Sequence, residues 1–231
     1  YHIYVYFDYP SLIRGGHNFA IIRASGHAIG TCQDNIDFIL ALSQETITHH
    51  RPQVHEGAAV IFDADRVKTG GQALSLKTIL TAENAPEIMG NSAIIGGFAK
   101  AAGIDWKTVE DVMRAHIRKG ADQNLLVARR AYEQIQTVHR IERLSASPRP
   151  LLTGNEAIAL GLIRGGLDAY VSYPMTPSSS LLHVLAEEKE RFGITVVHPE
   201  NEIAVILMAL GFAYAGKRAA VGTSGGGFCL M

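Results

Sequence analysis

The 231-residue sequence has few cysteines and no pattern of metal ligands. Cys32 and Cys229 are its only cysteines, and they lie too far apart to form a Cys-x-x-Cys pair. Neither a disulfide framework nor a cysteine zinc site is predicted. An iron–sulfur cluster needs about four thiolates, so any such cluster must be held elsewhere. The ten histidines show no His-x-x-x-His spacing with a carboxylate partner, and no metal site is predicted.

The sequence also lacks a charge excess and a long apolar segment. Its formal net charge is -1 at pH 7, which gives no electrostatic basis for binding nucleic acid or an anionic membrane. No apolar run reaches the roughly 20 residues of a membrane helix, and the amino end lacks a signal-peptide pattern. Hydrophobic residues make up 47% of the chain and charged residues 19%, so we expect a folded, soluble and cytoplasmic protein.

Both ends of the sequence suggest a piece of a longer protein. The first residue is Tyr1 rather than Met, and Met231 follows an apolar segment that has only begun. We therefore expect further residues of the parent protein on both sides. Within the chain, Pro148 and Pro150 are too close together to continue a helix. They predict a boundary between a domain at residues 1–144 and a second domain at residues 151–231.

Apolar runs separated by polar connectors predict an α/β fold for the first domain. Residues 19–23 and 58–63 have the composition of strands. Residues 34–42 fit either a buried strand or a short helical turn that leads into one. Residues 91–141 are mostly helical in their apolar spacing, so helices are expected to close this domain.

A tighter alternation predicts a second, doubly wound α/β domain. Its predicted strands cover residues 168–173, 195–197 and 219–223. One predicted helix starts at a cap near Asn155 and ends near Gly165, and another covers residues 202–215. Between them, Thr176 is predicted as a helix N-cap, with Pro177 at the first helical position.

Three polar turns follow the predicted strands of the second domain. They are residues 173–179 (YPMTPSS), residues 200–204 (ENEIA) and residues 223–228 (TSGGGF). Because strand-to-helix turns of a parallel sheet gather at one edge, and ligands bind at that edge, these turns predict a site.

Each turn alone also has a simpler explanation. The amides and hydroxyls at residues 176–179 could hold a carboxylate or phosphate, but spacing alone favours an ordinary N-cap. Glu202 heads an apolar helix and could exchange a proton with a ring nitrogen. The commoner role of a first-turn acid is to stabilise the helix dipole by about 0.3–1 kcal/mol. The glycines at 225–227 allow close approach to a ligand, yet glycines also end strands.

Taken together, these motifs resemble those of the 2-oxoacid:ferredoxin oxidoreductases. Residues 155–157 (NEA) and the three turns resemble the pyrimidine-binding domain of the α subunits, and this match covers residues 151–231. Residues 9–18 and 91–132 resemble the γ domain of the same enzymes. The γ-then-α order is similar to that of the fused chains often seen in enzymes that act on 2-oxoglutarate.

The resemblance implies oxidative decarboxylation of a 2-oxoacid, with 2-oxoglutarate favoured. The products would be an acyl-CoA, carbon dioxide and reduced ferredoxin. The implied cofactor is thiamine diphosphate, shared with a separate β subunit that holds the diphosphate, Mg²⁺ and a four-iron cluster. CoA, the 2-oxoacid and ferredoxin are the other implied partners, and this chain alone is expected to be inactive.

The resemblance also implies roles for particular residues. Glu202 matches the glutamate that hydrogen-bonds the aminopyrimidine ring and promotes deprotonation of the thiazolium ring. Thr176 matches a residue that contacts the carboxylate or keto oxygen of the substrate. The further cofactor-binding candidates are Pro174, Ser179, Ser224, Gly225 and Arg14. Arg14, followed by two glycines, could approach CoA phosphates, although a turn with a solvated Arg explains the pattern equally well.

The sequence departs from the usual family pattern at the glycine turn. Gly226 stands where the family usually has Pro, and the basic substrate-binding residues expected in the α domain would follow Met231.

Two other function classes stay open. The first alternative is another thiamine-dependent enzyme, acting on pyruvate, a branched-chain 2-oxoacid or indolepyruvate. The second is a non-catalytic module that binds acyl-CoA or a nucleotide, in which Glu202 is only structural.

Overall fold

The computed structural model describes residues 1–8, 16–144, 147 and 150–231. The chain forms two compact units, Tyr1–Ala146 and Ser147–Met231. Each unit contains a three-stranded parallel sheet with helices packed against it, which confirms the predicted α/β class.

The first unit begins with an antiparallel hairpin. Strand β1 (His2–Asp8) pairs with strand β2 (Phe19–Ser25), from His2 opposite Ser25 to Asp8 opposite Phe19. Every second residue of β2 is half-buried and the residues between are exposed, with Ile22 at 69%. Only one face of β2 is therefore covered.

The sheet of the first unit contains three parallel strands in the order β3-β4-β5. They are β3 (Ile36–Ala41), β4 (Val54–Asp63) and β5 (Gln72–Leu74). Residues 34–42 thus contain a strand, which decides between the two alternatives left open by the sequence. The helix α1 (Gln44–His50) and a short 3-10 helix (Arg51–Gln53) connect β3 to β4.

Four further α-helices complete the first unit. They are α2 (Leu76–Ala82), α3 (Gly90–Ala101), α4 (Trp106–His116) and α5 (Ala121–Gln134), with a short 3-10 helix (Glu87–Met89) before α3. A Cβ at Gly96 would overlap the Ala128 carbonyl, so glycine lets α3 and α5 approach closely. The core below them is formed by Ile61, Leu74, Ile79 and Val127, all at most 2% exposed.

The prediction that residues 91–141 are mostly helical is confirmed, although the helices stop at Gln134. Helix α5 ends at Gln134, and Ile135 is extended, with φ -97° and ψ 150°. Ile135 is 3% exposed and joins the core. The Val138 amide then donates to the Ala101 carbonyl at 2.9 Å. The chain therefore turns back along the end of α3, where its amides find partners outside a helix.

The second unit has a central strand that is buried along its whole length. The strands are β6 (Ala169–Ser172), β7 (Thr195–Val197) and β8 (Ala219–Gly222), parallel and in the order β7-β6-β8. The helices are α6 (Gly154–Arg164), α7 (Ser179–Phe192), α8 (Glu202–Tyr214) and the short α9 (Gly225–Phe228).

Helices cover both faces of this sheet. Tyr170 packs with Leu182 and Leu185 of α7 on one face. Its neighbour Val171 packs with Val205 and Ala209 of α8 on the other. Successive side chains of a strand point to opposite faces, so β6 divides the core into two layers. The predicted doubly wound arrangement is confirmed for this unit.

Candidate functional site

The three polar turns of the second unit follow the carboxyl ends of its three strands. Because the strands are parallel, these ends lie at one edge of the sheet. The rings of Tyr173, after β6, and His198, after β7, have centroids 6.0 Å apart. The Ser172 hydroxyl donates to the Gly222 carbonyl at 2.8 Å and so links the ends of β6 and β8.

Glu202 lies at the start of α8 and faces the sheet. Asn201 caps the helix, since its side-chain oxygen accepts a 2.9 Å hydrogen bond from the Ala204 amide. Glu202 is 4% exposed, and the other buried residues of the helix are Val205 and Ala209. The spacing of three and seven residues places all three on one helix face. The carboxylate is therefore directed inward, unlike an ordinary first-turn acid.

The carboxylate of Glu202 is buried without complete hydrogen bonding. Its Oε1 atom and the Thr223 hydroxyl oxygen are both inaccessible to solvent and have no hydrogen-bond partner among the described residues. Most buried polar atoms in proteins are paired. Two unpaired buried atoms therefore distinguish Glu202 and Thr223 from ordinary structural groups.

The glycine turn packs directly on these two groups. A Cβ at Gly227 would overlap the Thr223 hydroxyl oxygen and lie 2.8 Å from Glu202 Oε1. A Cβ at Gly225 or Gly226 would have no heavy atom within 4 Å. Only Gly227 is therefore required by close packing.

Ser224 and Gly225 lie at the exposed side of the same turn. Ser224 occupies the N-cap position of α9 but its side chain makes no capping hydrogen bond, and it is half-buried. Gly225 is exposed. The roles of both residues as cofactor contacts remain predictions.

The prediction that Thr176 caps α7, with Pro177 as its first residue, is wrong. The helix begins at Ser179, and Ser178 holds the N-cap position. The amide and the hydroxyl of Ser178 each donate to the Met175 carbonyl at 2.8 Å. These bonds close a separate turn that contains Thr176 and Pro177, which are joined by a cis peptide bond. Thr176 is exposed at the tip of this turn.

Asn155 holds the Thr176 turn in place, a role that the sequence analysis missed. Its side-chain amide donates to the Pro177 carbonyl at 2.9 Å and also contacts the Ser180 hydroxyl. Asn155 itself does not cap α6 as predicted. Thr153 does, through a reciprocal capping box with Glu156. Because the capping box already satisfies the first turn of α6, Asn155 is free to bind the neighbouring turn.

The remaining site candidates do not contact Glu202 directly through a hydrogen bond among the described residues. Pro174 is exposed and Ser179 is half-buried, both near the Thr176 turn. No hydrogen bond joins this turn to Glu202 in the ranges that the structure describes. Arg14 lies outside the described residues.

No metal site is found among the described residues, because they contain no group of three or more His, Cys, Asp or Glu side chains that could hold an ion. Nor do they contain a helix with the length and apolar composition that a membrane span needs.

The central strand carries one more buried polar group. Tyr170 is fully buried, its hydroxyl has no hydrogen-bond partner among the described residues, and a Cβ at Gly222 would overlap it. Burial raises the pKa of Tyr170, and the nearby Ser172 hydroxyl offsets this only in part. Tyr170 therefore stays neutral at physiological pH. It lies on the α7 face of the sheet, away from Glu202.

Two family models match most of the chain. One, described as pyruvate ferredoxin/flavodoxin oxidoreductase, matches residues 1–134. The other, described as the thiamine-diphosphate-binding part of pyruvate flavodoxin/ferredoxin oxidoreductase, matches residues 160–231. The second match contains Glu202, Thr176 and the glycine turn.

Curated relatives give the same family. A 2-oxoglutarate synthase subunit KorA from Archaeoglobus fulgidus is 43% identical over 81 residues, which are 35% of this chain and 23% of the relative. The α subunit of a 2-oxoacid:ferredoxin oxidoreductase from a Sulfolobus species is 26% identical over 293 aligned positions, which cover 100% of this chain and 46% of the relative. The chain thus spans less than half the length of these relatives.

A solved structure has the same fold. The 2-oxoglutarate:ferredoxin oxidoreductase from Magnetococcus marinus, with 2-oxoglutarate, coenzyme A and succinyl-CoA bound, superposes with a TM-score of 0.82. The match covers 99% of this chain and 43% of that chain, at 22% identity. Since one family model covers more than half of its residues, the chain belongs to the pyruvate ferredoxin/flavodoxin oxidoreductase family.

Proposed function

We propose that this chain is part of a γ-α fused subunit of a 2-oxoacid:ferredoxin oxidoreductase. The reaction is the oxidative decarboxylation of a 2-oxoacid with CoA, which gives an acyl-CoA and carbon dioxide while ferredoxin takes up the electrons. The order of the two family matches along the chain supports this proposal. The chain would contribute the γ-type region, at residues 1–144, and the start of the pyrimidine-binding region, at residues 151–231.

The observation that carries the proposal is the buried carboxylate of Glu202. A first-turn acid that served only the helix dipole would be solvated, whereas Glu202 is 4% exposed and has an unpaired oxygen. It stands at the ligand-binding edge of a parallel sheet, within the segment that matches a thiamine-diphosphate-binding family. These residues fit the aminopyrimidine end of thiamine diphosphate, which presents ring and amino nitrogens to such a carboxylate.

Glu202 would hold the pyrimidine ring and exchange a proton with its ring nitrogen. When bound, thiamine diphosphate supplies the electron sink that decarboxylation requires. The apolar side chains of α8 keep water from the buried side of the carboxylate, which strengthens a charge-assisted hydrogen bond to a ligand. Ser224 and Gly225, at the open side of the glycine turn, would line the same pocket.

Thr176 would contact the carboxylate or keto oxygen of the 2-oxoacid. Its turn lies at the edge of the sheet that also positions Glu202, and the neighbouring Pro174 and Ser179 would shape the same side of the pocket. We propose 2-oxoglutarate as the substrate. The names of two KorA relatives and the 2-oxoglutarate bound in the M. marinus enzyme support this choice.

A partner subunit would carry the diphosphate site, Mg²⁺ and a four-iron cluster. Two cysteines are too few for this chain to hold such a cluster alone. The outer face of α8 offers a surface to which a partner subunit can bind. Ile203, Leu207, Leu210 and Tyr214 share that face and are 55–96% exposed. Contiguous exposed apolar side chains mark protein interfaces.

We propose a cytoplasmic location for the enzyme. The free thiols of Cys32 and Cys229 are in keeping with a reducing compartment.

The test uses the full-length parent chain, purified with its natural partner. Reduction of ferredoxin should depend on CoA, thiamine diphosphate and one 2-oxoacid from a panel. Glu202→Gln should lower turnover at least about 100-fold, because it removes the proton-exchanging carboxylate. Glu200→Gln is the matched control, since Glu200 is exposed in the same turn, and it should leave turnover unchanged. Full turnover in the Glu202 variant would contradict the proposal.

A further inference from the structure

Two unpaired buried atoms come together beneath the glycine turn. Glu202 Oε1 and the Thr223 hydroxyl oxygen both lie within 3 Å of the place that a Cβ at residue 227 would occupy. Both are inaccessible to solvent and lack a hydrogen-bond partner in the described part of the chain. They belong to different elements, the first turn of α8 and the residue after β8.

The chemistry of the two groups is complementary. A threonine hydroxyl donates one hydrogen bond, and a carboxylate oxygen only accepts. A buried donor and a buried acceptor that lack other partners are each costly alone, and one hydrogen bond between them satisfies both. In the structure neither atom has a hydrogen-bond partner among the described residues, although both lie within 3 Å of the same point beside Gly227.

Two neighbouring hydroxyl groups do not take this role. The Ser172 hydroxyl donates to the Gly222 carbonyl. Tyr170 packs with α7 on the other face of the sheet. Thr223 is therefore the donor that the fold places beside the inner oxygen of Glu202.

We propose that Thr223 is a positioning residue for Glu202. Its hydroxyl donates to the inner oxygen Oε1, which fixes the plane of the carboxylate and directs the second oxygen to the ligand. Gly227 is required because a side chain there would fill the space in which the two groups meet. The inference rests on the proposed function, since it assigns a purpose to the orientation of Glu202.

The experiment compares Thr223→Val with Thr223→Ser in the full-length complex. Valine keeps the shape and removes the hydroxyl, whereas serine keeps the hydroxyl and removes a methyl group. The first readout is the infrared carboxylate band of Glu202 without thiamine diphosphate, identified by subtracting the spectrum of Glu202→Gln. We expect this band to shift in the valine variant and to keep its wild-type position in the serine variant.

The second readout is the rate at which the C2 proton of bound thiamine diphosphate exchanges with deuterium oxide. Loss of a hydrogen bond to a charged group should slow exchange roughly tenfold to hundredfold in the valine variant, and serine should restore most of the rate. An unshifted band, or an unchanged exchange rate in the valine variant, would overturn the proposal.

The two readouts separate this inference from the proposed function. If Glu202→Gln leaves exchange unchanged, the proposed role of Glu202 fails, whatever Thr223 does. If Glu202→Gln stops exchange while Thr223→Val changes neither readout, only the role of Thr223 fails. Should the valine variant not assemble, Thr223→Ala removes the same hydroxyl without a branched side chain and is measured in its place against serine.

Discussion

The Ser172 hydroxyl donates a 2.8 Å hydrogen bond to the Gly222 carbonyl, fifty residues further along the chain. Ser172 is fully buried and ends the central strand β6, and Gly222 ends the neighbouring strand β8. The bond fixes the relative positions of both strand ends. It therefore fixes where the Thr176 turn and the glycine turn leave the sheet.

Ser172→Ala should destabilise the second unit without changing its fold. The substitution leaves the Gly222 carbonyl without its side-chain partner, and we expect a loss of about 1–3 kcal/mol in the free energy of unfolding. Urea unfolding of the chain measures the loss. Ser180→Ala, in the exposed first turn of α7, is the control and should cost much less. Equal effects of the two changes would contradict the role of the buried bond.

The three adjacent glycines should respond differently to alanine. Gly227→Ala places a Cβ that overlaps Thr223 and crowds Glu202, so we expect a cost of roughly 1–3 kcal/mol from overpacking and weaker binding of thiamine diphosphate. Gly226→Ala meets open space and should be neutral or slightly stabilising. Calorimetric titration of the complex with thiamine diphosphate compares the two. Similar affinities would show that Gly227 does not shape the site.

The three glycines also show what the sequence could and could not predict. Strand and helix patterns predicted most elements, because burial on a strand or helix face leaves a periodic trace, as in residues 58–63 and 202–215. In the amino-acid sequence, however, nothing distinguishes Gly225, Gly226 and Gly227 from one another. Only the approach of the Glu202 and Thr223 side chains, from other elements, distinguishes Gly227.

Other differences between prediction and structure arise from contacts that residue patterns do not record. The Thr-Pro-Ser-Ser pattern suggested a cap at Thr176, but hydrogen bonds from Ser178 to Met175 close a turn first. Ile135 continues a helical apolar pattern, yet it leaves the helix to fill the core of the first unit. The contact of Asn155 with Pro177 joins residues 22 positions apart. Local patterns do not record such non-local bonds.

Asn155→Ala should weaken binding of the 2-oxoacid more than it lowers the stability of the fold. Without the amide, the Thr176 turn loses its hydrogen bond to α6, and we expect the KM for the 2-oxoacid to rise about tenfold, in line with the loss of one hydrogen bond. Thr176→Ala should raise the same KM directly. Steady-state kinetics of the full-length complex measures both.

Thr153→Ala is the matched control for Asn155→Ala. It removes the capping box at the start of the same helix and should cost about 1 kcal/mol of stability, with little effect on the KM. A rise in KM with Thr153→Ala equal to that with Asn155→Ala would show that helix stability, rather than the contact with the turn, is responsible.

Asp63 should make the stability of the first unit depend on pH. It ends β4, is 3% exposed, and burial raises the pKa of its carboxyl above the ordinary value, with the nearby Asp65 carboxylate adding to the rise. A folded-state pKa above that of the unfolded chain favours folding below the unfolded pKa. This contribution is lost as pH rises through the folded pKa.

Asp63→Asn should therefore remove part of the pH dependence. The amide oxygen can still accept the 3.0 Å hydrogen bond from the Asp65 amide, but the side chain no longer titrates. We expect the variant to gain stability relative to the wild type as pH rises from mildly acidic to neutral. Urea unfolding across this range measures the difference. Asp111→Asn, on the exposed face of α4, is the control, and a parallel shift in both variants would contradict a specific role for Asp63.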